Sequence, residues 1–291
     1  MVVHDEQGLD VVVRFHDIGR IRELDRCLFS LAGQTYRPLT VIVVCQRFTV
    51  EQVVVVEQKL QEMLDMQPQA SAQVINFTDD EPSDARSILI NTGISAAVGR
   101  YLAFLDYDDT IYAEGYSTLI EELRSSGNVA AFGSVASKFV SIYDDVMITI
   151  EKKLQYHGNG VMDLFVDNFC PLHSYVIDRS KLSPSELYFD TSLAILEDYD
   201  FLLRVCSRYR VSFAHGKRLI GDYYFKDDGS NTTLLSSTAT LNRRARWDTS
   251  RNTIRDRKTK MAVSLAVQRS LDLPDTDVGY TIQDIVNLRV S

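Results

Sequence analysis

Gly99-Arg-Tyr-Leu-Ala-Phe-Leu-Asp-Tyr-Asp-Asp-Thr110 is the stretch that decides the fold. Tyr101 to Leu105 is an unbroken apolar run of strand length, with Gly99 before it and a polar cluster after it. Such a run reads as a strand covered on both faces in a parallel sheet. It ends in Asp106, Asp108 and Asp109. Open α/β sheets bind ligands just beyond the carboxyl ends of their strands, so these acids stand where chemistry is expected. Closely spaced carboxylates repel one another unless something positive joins them. A hard divalent cation, Mg²⁺ or Mn²⁺, that also holds a phosphate suits these residue types. The plain alternative is an Asp-rich turn capping a helix that starts near Glu114, although a cap needs one acid only.

Upstream the pattern repeats. Val11 to Phe15 is a β-branched strand, and Ile21, Leu24, Leu28 and Leu31 mark one face of a helix that Gly33 stops. Leu39 to Cys45 reads as a strand, about Glu51 to Asp65 as a helix, and Ala72 to Phe77 as a third strand. Ser83 or Asp84 caps the next helix, which carries Ile88, Leu89 and Ile94. Strands alternating with helices of this length mean βαβ units, hence an α/β fold with a doubly wound, mixed but mainly parallel sheet flanked by helices.

Downstream, Glu114 to Ser126 reads as a helix and Val129 to Ile150 as two or three strands. His157 to Asn168 reads as a loop with a short helix. Ser174 to Ile177 is a strand, Glu197 to Arg208 a helix, and Val211 to Ala214 and Gly221 to Phe225 are strands. From about Leu241 the spacing is helical, with Arg243, Arg244, Arg246, Arg251, Arg255 and Arg257 on what reads as a solvated basic face.

The 291 residues suffice for one large core or two modest ones, and 45% hydrophobic with 24% charged residues is ordinary for a globular protein. A formal charge of −9 argues against nucleic acid or an anionic membrane as the main partner. Cys27, Cys45, Cys170 and Cys206 form no metal-type pair and read as reduced thiols of a cytoplasmic protein, with no signal peptide expected. No apolar stretch is long enough for a membrane span. Peripheral association with the cytoplasmic face of a membrane stays open.

Asn91-x-Gly93, Gly99-Arg-Tyr and Phe104-Leu-Asp-x-Asp-Asp109 together resemble the core of family 2 glycosyltransferases of GT-A fold. The resemblance runs from about Val11 to about Asn231. It implies a glycosyltransferase domain over about 1–240, with a nucleotide-sugar half (about 1–112) and an acceptor half (about 113–240), followed by a helical C-terminal extension over 241–291. It implies an Asp-x-Asp motif at the central strand end, with Asp108 holding the metal and Asp106 and Asp109 nearby. It puts nucleotide binding at the exit of the first strand, Arg14-Phe15-His16-Asp17, with Phe15 against the base. Phe15 in a strand also reads as plain core. Where relatives carry a base-binding acid, this chain has Cys45-Gln46, and the Gln46 amide can still meet a base edge.

Arg86, near a helix start, suits a diphosphate through its planar fork, or else stands in solvent beside an Asp84 cap. Asn91 fixes the loop around the metal site by resemblance. In Leu196-Glu197-Asp198-Tyr199-Asp200, acids at a helix start complement the dipole. Asp198 stands three, four and seven residues before Phe201, Leu202 and Val205, so it heads the apolar face. Asp200 pairs by spacing with Arg204 on the helix surface. The Glu197–Asp198 pair matches the family's acceptor-activating motif, with Asp198 as general base. Asp227-Asp228-Gly229 is a turn signal, and Asp227 stands where relatives place a metal-binding histidine. Lys226 is a candidate phosphate contact. His173 reads as structural.

The resulting expectation is inverting, metal-dependent transfer of a sugar from a nucleotide-diphosphate donor to a saccharide or glycolipid acceptor, in surface polysaccharide synthesis and alongside other glycosyltransferase modules. A sugar-phosphate nucleotidyltransferase is one alternative, although Arg14-Phe-His-Asp-Ile-Gly19 is a poor triphosphate loop. A non-catalytic glycosyltransferase-like binding module is the other.

Overall fold

The structure is a computed structural model and describes residues 5–65, 67–143, 146–156, 158–226, 241–274 and 279–290. Strand β1 (Asp5–Phe15) leads to helix α1 (Ile21–Ala32), β2 (Leu39–Gln46), α2 (Val50–Leu64), β3 (Ala70–Phe77), α3 (Arg86–Ala96) and β4 (Gly99–Asp106). Next come β5 (Thr110–Ile111), α4 (Gly115–Ser126), the long strands β6 (Ala130–Tyr143) and β7 (Val146–Tyr156), α5 (Val161–Val166) and β8 (Tyr175–Asp178). Helix α6 (Glu197–Arg208) precedes β9 (Ser212–Lys226). The C-terminal part holds α7 (Leu241–Lys258), β10 (Ala262–Val263), α8 (Leu265–Ser270), β11 (Tyr280–Thr281) and α9 (Ile282–Val290).

One sheet runs β3-β2-β1-β4-β8-β6-β9-β5, with β7 paired to β6. Strands β1 to β4 are parallel, while β8 runs antiparallel to β4 and β6. Strand order reverses at β1, which has β2 on one side and β4 on the other. A crevice therefore opens beyond the carboxyl ends of β1 and β4, the usual ligand position of such sheets.

The pleat sends alternate residues of each strand to opposite faces. Val11, Val13, Phe15, Tyr101, Ala103 and Leu105 pack on Leu24, Leu28 and Leu31 of α1, Leu60 of α2 and Leu119 of α4. Val12, Leu102 and Phe104 face the other way, onto Leu89 and Ile90 of α3 and Phe201, Leu202 and Val205 of α6. Gly93 lets α3 lie close on β1, since a Cβ there would meet Val12 Cγ1 at 2.3 Å.

One strand, one helix start and one side chain differ from the sequence reading. The two short strands expected at 211–214 and 221–225 are one bent strand, β9, whose pairing to β6 slips at Gly133 and Ser134. Helix α3 starts at Arg86 and lacks a side-chain cap, because Asp84 turns to Arg86 instead. The C-terminal helices pack on the rest of the fold: Ile254, Val263, Val267, Ile282 and Ile285 share the α6 core. Arg257, expected in solvent, donates to Asp190 and to buried Asp200, both at 2.6 Å.

Candidate active site

A cavity of about 430 Å³ lies in the crevice. Arg14, His16, Asp17 and Arg20 line it from the β1 exit, Gln46 from β2, Ser83, Asp84 and Arg86 from the α3 start, Asp106, Tyr107 and Asp108 from the β4 exit, and Tyr223 from β9. Of the expected residues, Gln46, Arg86, Asp106 and Asp108 are brought together here. The Gln46 amide donates to Ser83 O at 2.9 Å, tying β2 to the loop before α3. Arg86 forks both oxygens of Asp84, at 2.9 and 3.0 Å.

The three acids after β4 have three different fates. Asp106 is gripped through both oxygens by Arg14, its lateral neighbour on β1. Burial disfavours the Asp106 charge, but the Arg14 guanidinium prevails and holds the carboxyl below the ordinary carboxylate range. Asp109 turns inward at 2% exposure and accepts from Tyr224 N. Burial, with Asp108 and Asp106 near, pushes its carboxyl well up. Its other oxygen lies 3.4 Å from Nδ1 of buried His173, whose imidazole burial pushes down to about 4. Asp109 is enclosed and does not line the cavity. Asp108 faces the cavity and accepts from Lys226 Nζ at 2.7 Å.

Among the described residues no group of three His, Cys, Asp or Glu side chains converges to enclose a cation. Four carboxylates line the cavity: Asp17, Asp84 and Asp106 pair with Arg20, Arg86 and Arg14, and Asp108 pairs with Lys226 from β9. That donor set fits a hard cation completed by phosphate oxygens and water, not an all-protein cage. Asp227 lies outside the described residues.

Three other expectations are corrected. Phe15 is fully buried and packs edge-on against Phe48, with Tyr107 tilted beside it, because the pleat points it at α1 and away from the cavity. Asn91 does not touch the acidic cluster. It pairs with both backbone groups of Phe189, at 2.7 and 2.8 Å, and so fixes the segment that leads into α6. Lys226 is held by Asp108, with Glu23 at 3.8 Å, instead of lining the cavity.

Helix α6 brings the second cluster. Asp200 is fully buried, not on the surface, and is shared by Arg204 and Arg257. Glu197 is buried and accepts from Arg14 at 3.1 Å. Asp198 is half-buried and accepts from Asn168 Nδ2 at 3.4 Å and Tyr199 N at 2.7 Å. Burial, then the Glu197 charge, pushes its carboxyl up to about 7. That is the range a general base needs at neutral pH.

A family model described as glycosyl transferase family 2 matches residues 19–182, more than half of the chain. The chain belongs to that family. Solved structures of the same fold include S. aureus TarS 1-349, at 15% identity and TM-score 0.54 over 75% of this chain and 60% of that one. A longer S. aureus TarS structure matches at 16% identity and TM-score 0.53, and there this chain spans 37% of the length. The mannosyltransferase PcManGT from Pyrobaculum calidifontis, in complex with GDP-Man and Mn²⁺, matches at 10% identity and TM-score 0.59 over 97% of this chain and 70% of that one. No curated protein matches the sequence at a significant level. As in the family at large, the sheet is a mixed, mainly parallel GT-A type.

Sequence reasoning placed nucleotide binding at Arg14-Phe15-His16-Asp17 but gave Arg14 no role of its own and passed over Arg20. A signal was present: Arg14 is a charged residue at the carboxyl end of a β-branched strand, where such sheets bind ligands.

Proposed function

We propose that the chain is an inverting transferase that moves a sugar from a nucleotide-diphosphate donor to a hydroxyl of a saccharide or glycolipid acceptor. The observation that carries this reading is the crevice cavity, walled by Arg14, Arg20 and Arg86 and faced by Asp108, with the Glu197–Asp198 pair of α6 joined to it through the Arg14–Glu197 contact. The guanidiniums of Arg20 and Arg86 suit a diphosphate by charge and by their planar donors. Gln46 offers its amide to the base. Asp198 takes the proton from the acceptor hydroxyl as that oxygen attacks the anomeric carbon from the face opposite the leaving diphosphate. A single displacement inverts the anomeric centre.

Asp108 would hold Mg²⁺ or Mn²⁺, which when bound would supply positive charge for the leaving diphosphate. PcManGT with GDP-Man and Mn²⁺, and TarS with UDP-GlcNAc, support a nucleotide-sugar donor and, for the first, a metal. A role in surface polysaccharide synthesis, at the cytoplasmic side of a membrane and beside further glycosyltransferase modules, belongs to the same proposal. Among the described residues no helix is long and apolar enough to cross a membrane.

The test is paired. Asp198→Asn keeps the side chain's size and removes the base. Nucleotide affinity by calorimetry should stay within about threefold, while transfer falls roughly 10²–10⁴-fold. Transfer at the parental rate sinks the assignment, with Glu197 the next candidate.

A further inference from the structure

The start of α6 is an unusual place to hold a base. Leu196, at its N-cap, is left-handed (φ 66°, ψ 22°), although it is not glycine, and no side chain caps the helix. Three acids crowd the first turn, two of them buried. Such a turn relaxes unless surrounding groups over-determine it. Asp200 has Arg204 and Arg257. Glu197 has Arg14, which comes from the opposite end of the sequence. The same guanidinium forks Asp106 at the β4 exit, with one terminal nitrogen 2.9 Å from Asp106 Oδ2 and the other 3.1 Å from Glu197 Oε1.

We propose that Arg14 is a positioning residue for transfer: it fixes Glu197 against the carboxyl ends of β1 and β4, and so aims the neighbouring Asp198 at the acceptor. The proposal rests on the reading of Asp198 as base. Arg14 suits the task because its rigid fork uses two donors on Asp106 and still presents a third to Glu197. A lysine ammonium is a point charge on a flexible stem and cannot reproduce both orientations. Asp106 belongs to this brace, while Asp108 is paired with Lys226 and faces the cavity. The helix that activates the acceptor is thereby registered on the strands that bind the donor, through one side chain. A small misplacement of a reacting group is costly in rate, of order 10²-fold for about 1 Å.

The experiment uses the whole chain with Arg14→Lys, Arg14→Gln, Glu197→Gln and the double variant Arg14→Gln/Glu197→Gln. Hydrogen exchange of the amides from Leu196 to Phe201 is measured with global stability on the same preparations. Hydrolysis of UDP-GlcNAc and GDP-mannose in Mn²⁺ is followed in parallel. We expect each single variant to speed exchange in this turn by about tenfold or more while the β1 and β4 amides stay protected. The double variant should add little, since both changes cut one link. Turnover of whichever donor the parent hydrolyses should fall about 10²-fold in Arg14→Lys, with its KM within about threefold. If Arg14→Gln fails to fold, Arg14→Lys and Glu197→Gln carry the test. Unchanged exchange at the α6 start in these variants overturns the proposal. So does a raised KM with kcat retained, which would make Arg14 a donor ligand. Loosening of the turn with parental turnover in Asp198→Asn instead removes the base reading and leaves the brace intact.

Discussion

Lys226 Nζ sits 2.7 Å from Asp108 Oδ2, with Glu23 at 3.8 Å and the Tyr107 ring beneath it. Asp108, the acid proposed to hold a divalent ion, is thus met by a lysine of β9. A divalent ion at Asp108 must displace that ammonium. Lys226→Met should therefore tighten Mn²⁺ binding to the nucleotide-free protein by about tenfold, the worth of one partly screened charge at this range. Titration followed by electron paramagnetic resonance reads it directly. Equal or weaker Mn²⁺ binding in the variant would show that Lys226 does not compete. Asp108→Asn should abolish metal-dependent nucleotide binding while the fold survives.

Asp198 makes the pH dependence specific. With its carboxyl at about 7, turnover should rise about tenfold per pH unit below 7 and level off above it, as the base becomes ionised. The linkage has the opposite sense for stability. A carboxyl raised above its unfolded value of about 3.9 favours the protonated fold. Its contribution is full below about pH 4 and is lost as pH rises through 7. Asp198→Asn should thus raise the melting temperature at pH 8 and leave it nearly unchanged at pH 4. Melting curves at the two pH values check this, and an equal shift at both refutes the assigned environment.

The C-terminal helices are expected to be part of the fold. Arg257 closes on Asp200 and Asp190, and Ile254, Val263, Val267, Ile282 and Ile285 bury against α5 and α6. Arg257→Met leaves Asp200 with Arg204 alone and should cost about 1–3 kcal/mol by denaturant melting. A chain ending at Thr240 should fail to give a soluble, cooperatively unfolding product. A truncated protein that melts like the parent would place the extension outside the core. Arg246 of α7 also stands 3.9 Å from Asp84, which lines the crevice cavity.

Gly93 is a packing requirement that the motif Asn91-x-Gly93 conceals. Its Cβ would fall 2.3 and 2.8 Å from the two Val12 methyls. Gly93→Ala should destabilise by about 1–3 kcal/mol through overpacking, despite alanine's better helix propensity. Val12→Ala in the same chain should recover part of that loss. Additive penalties in the double variant would mean that the two residues do not meet.

The local sequence determined the alternation of strands and helices, the central strand Tyr101–Leu105 and the acidic exit, because periodicity and turn residues act over a few positions. It also carried the family, through Gly99-Arg-Tyr and the acids that follow. It could not assign those acids. Asp106, Asp108 and Asp109 look alike in a string, and what separates them are partners far along the chain: Arg14 is 92 residues from Asp106, Tyr224 is 115 from Asp109 and Lys226 is 118 from Asp108. The same holds at α6, where helical spacing turned Asp198 inward and put Asp200 on the surface, whereas Asp198 is half-buried and Asp200 fully buried. The ion pair with Arg204 was legible at a separation of four, while Arg257, 57 residues on, was not. A carboxylate's role depends on whether it is buried and which cation reaches it, and both are properties of the packed fold.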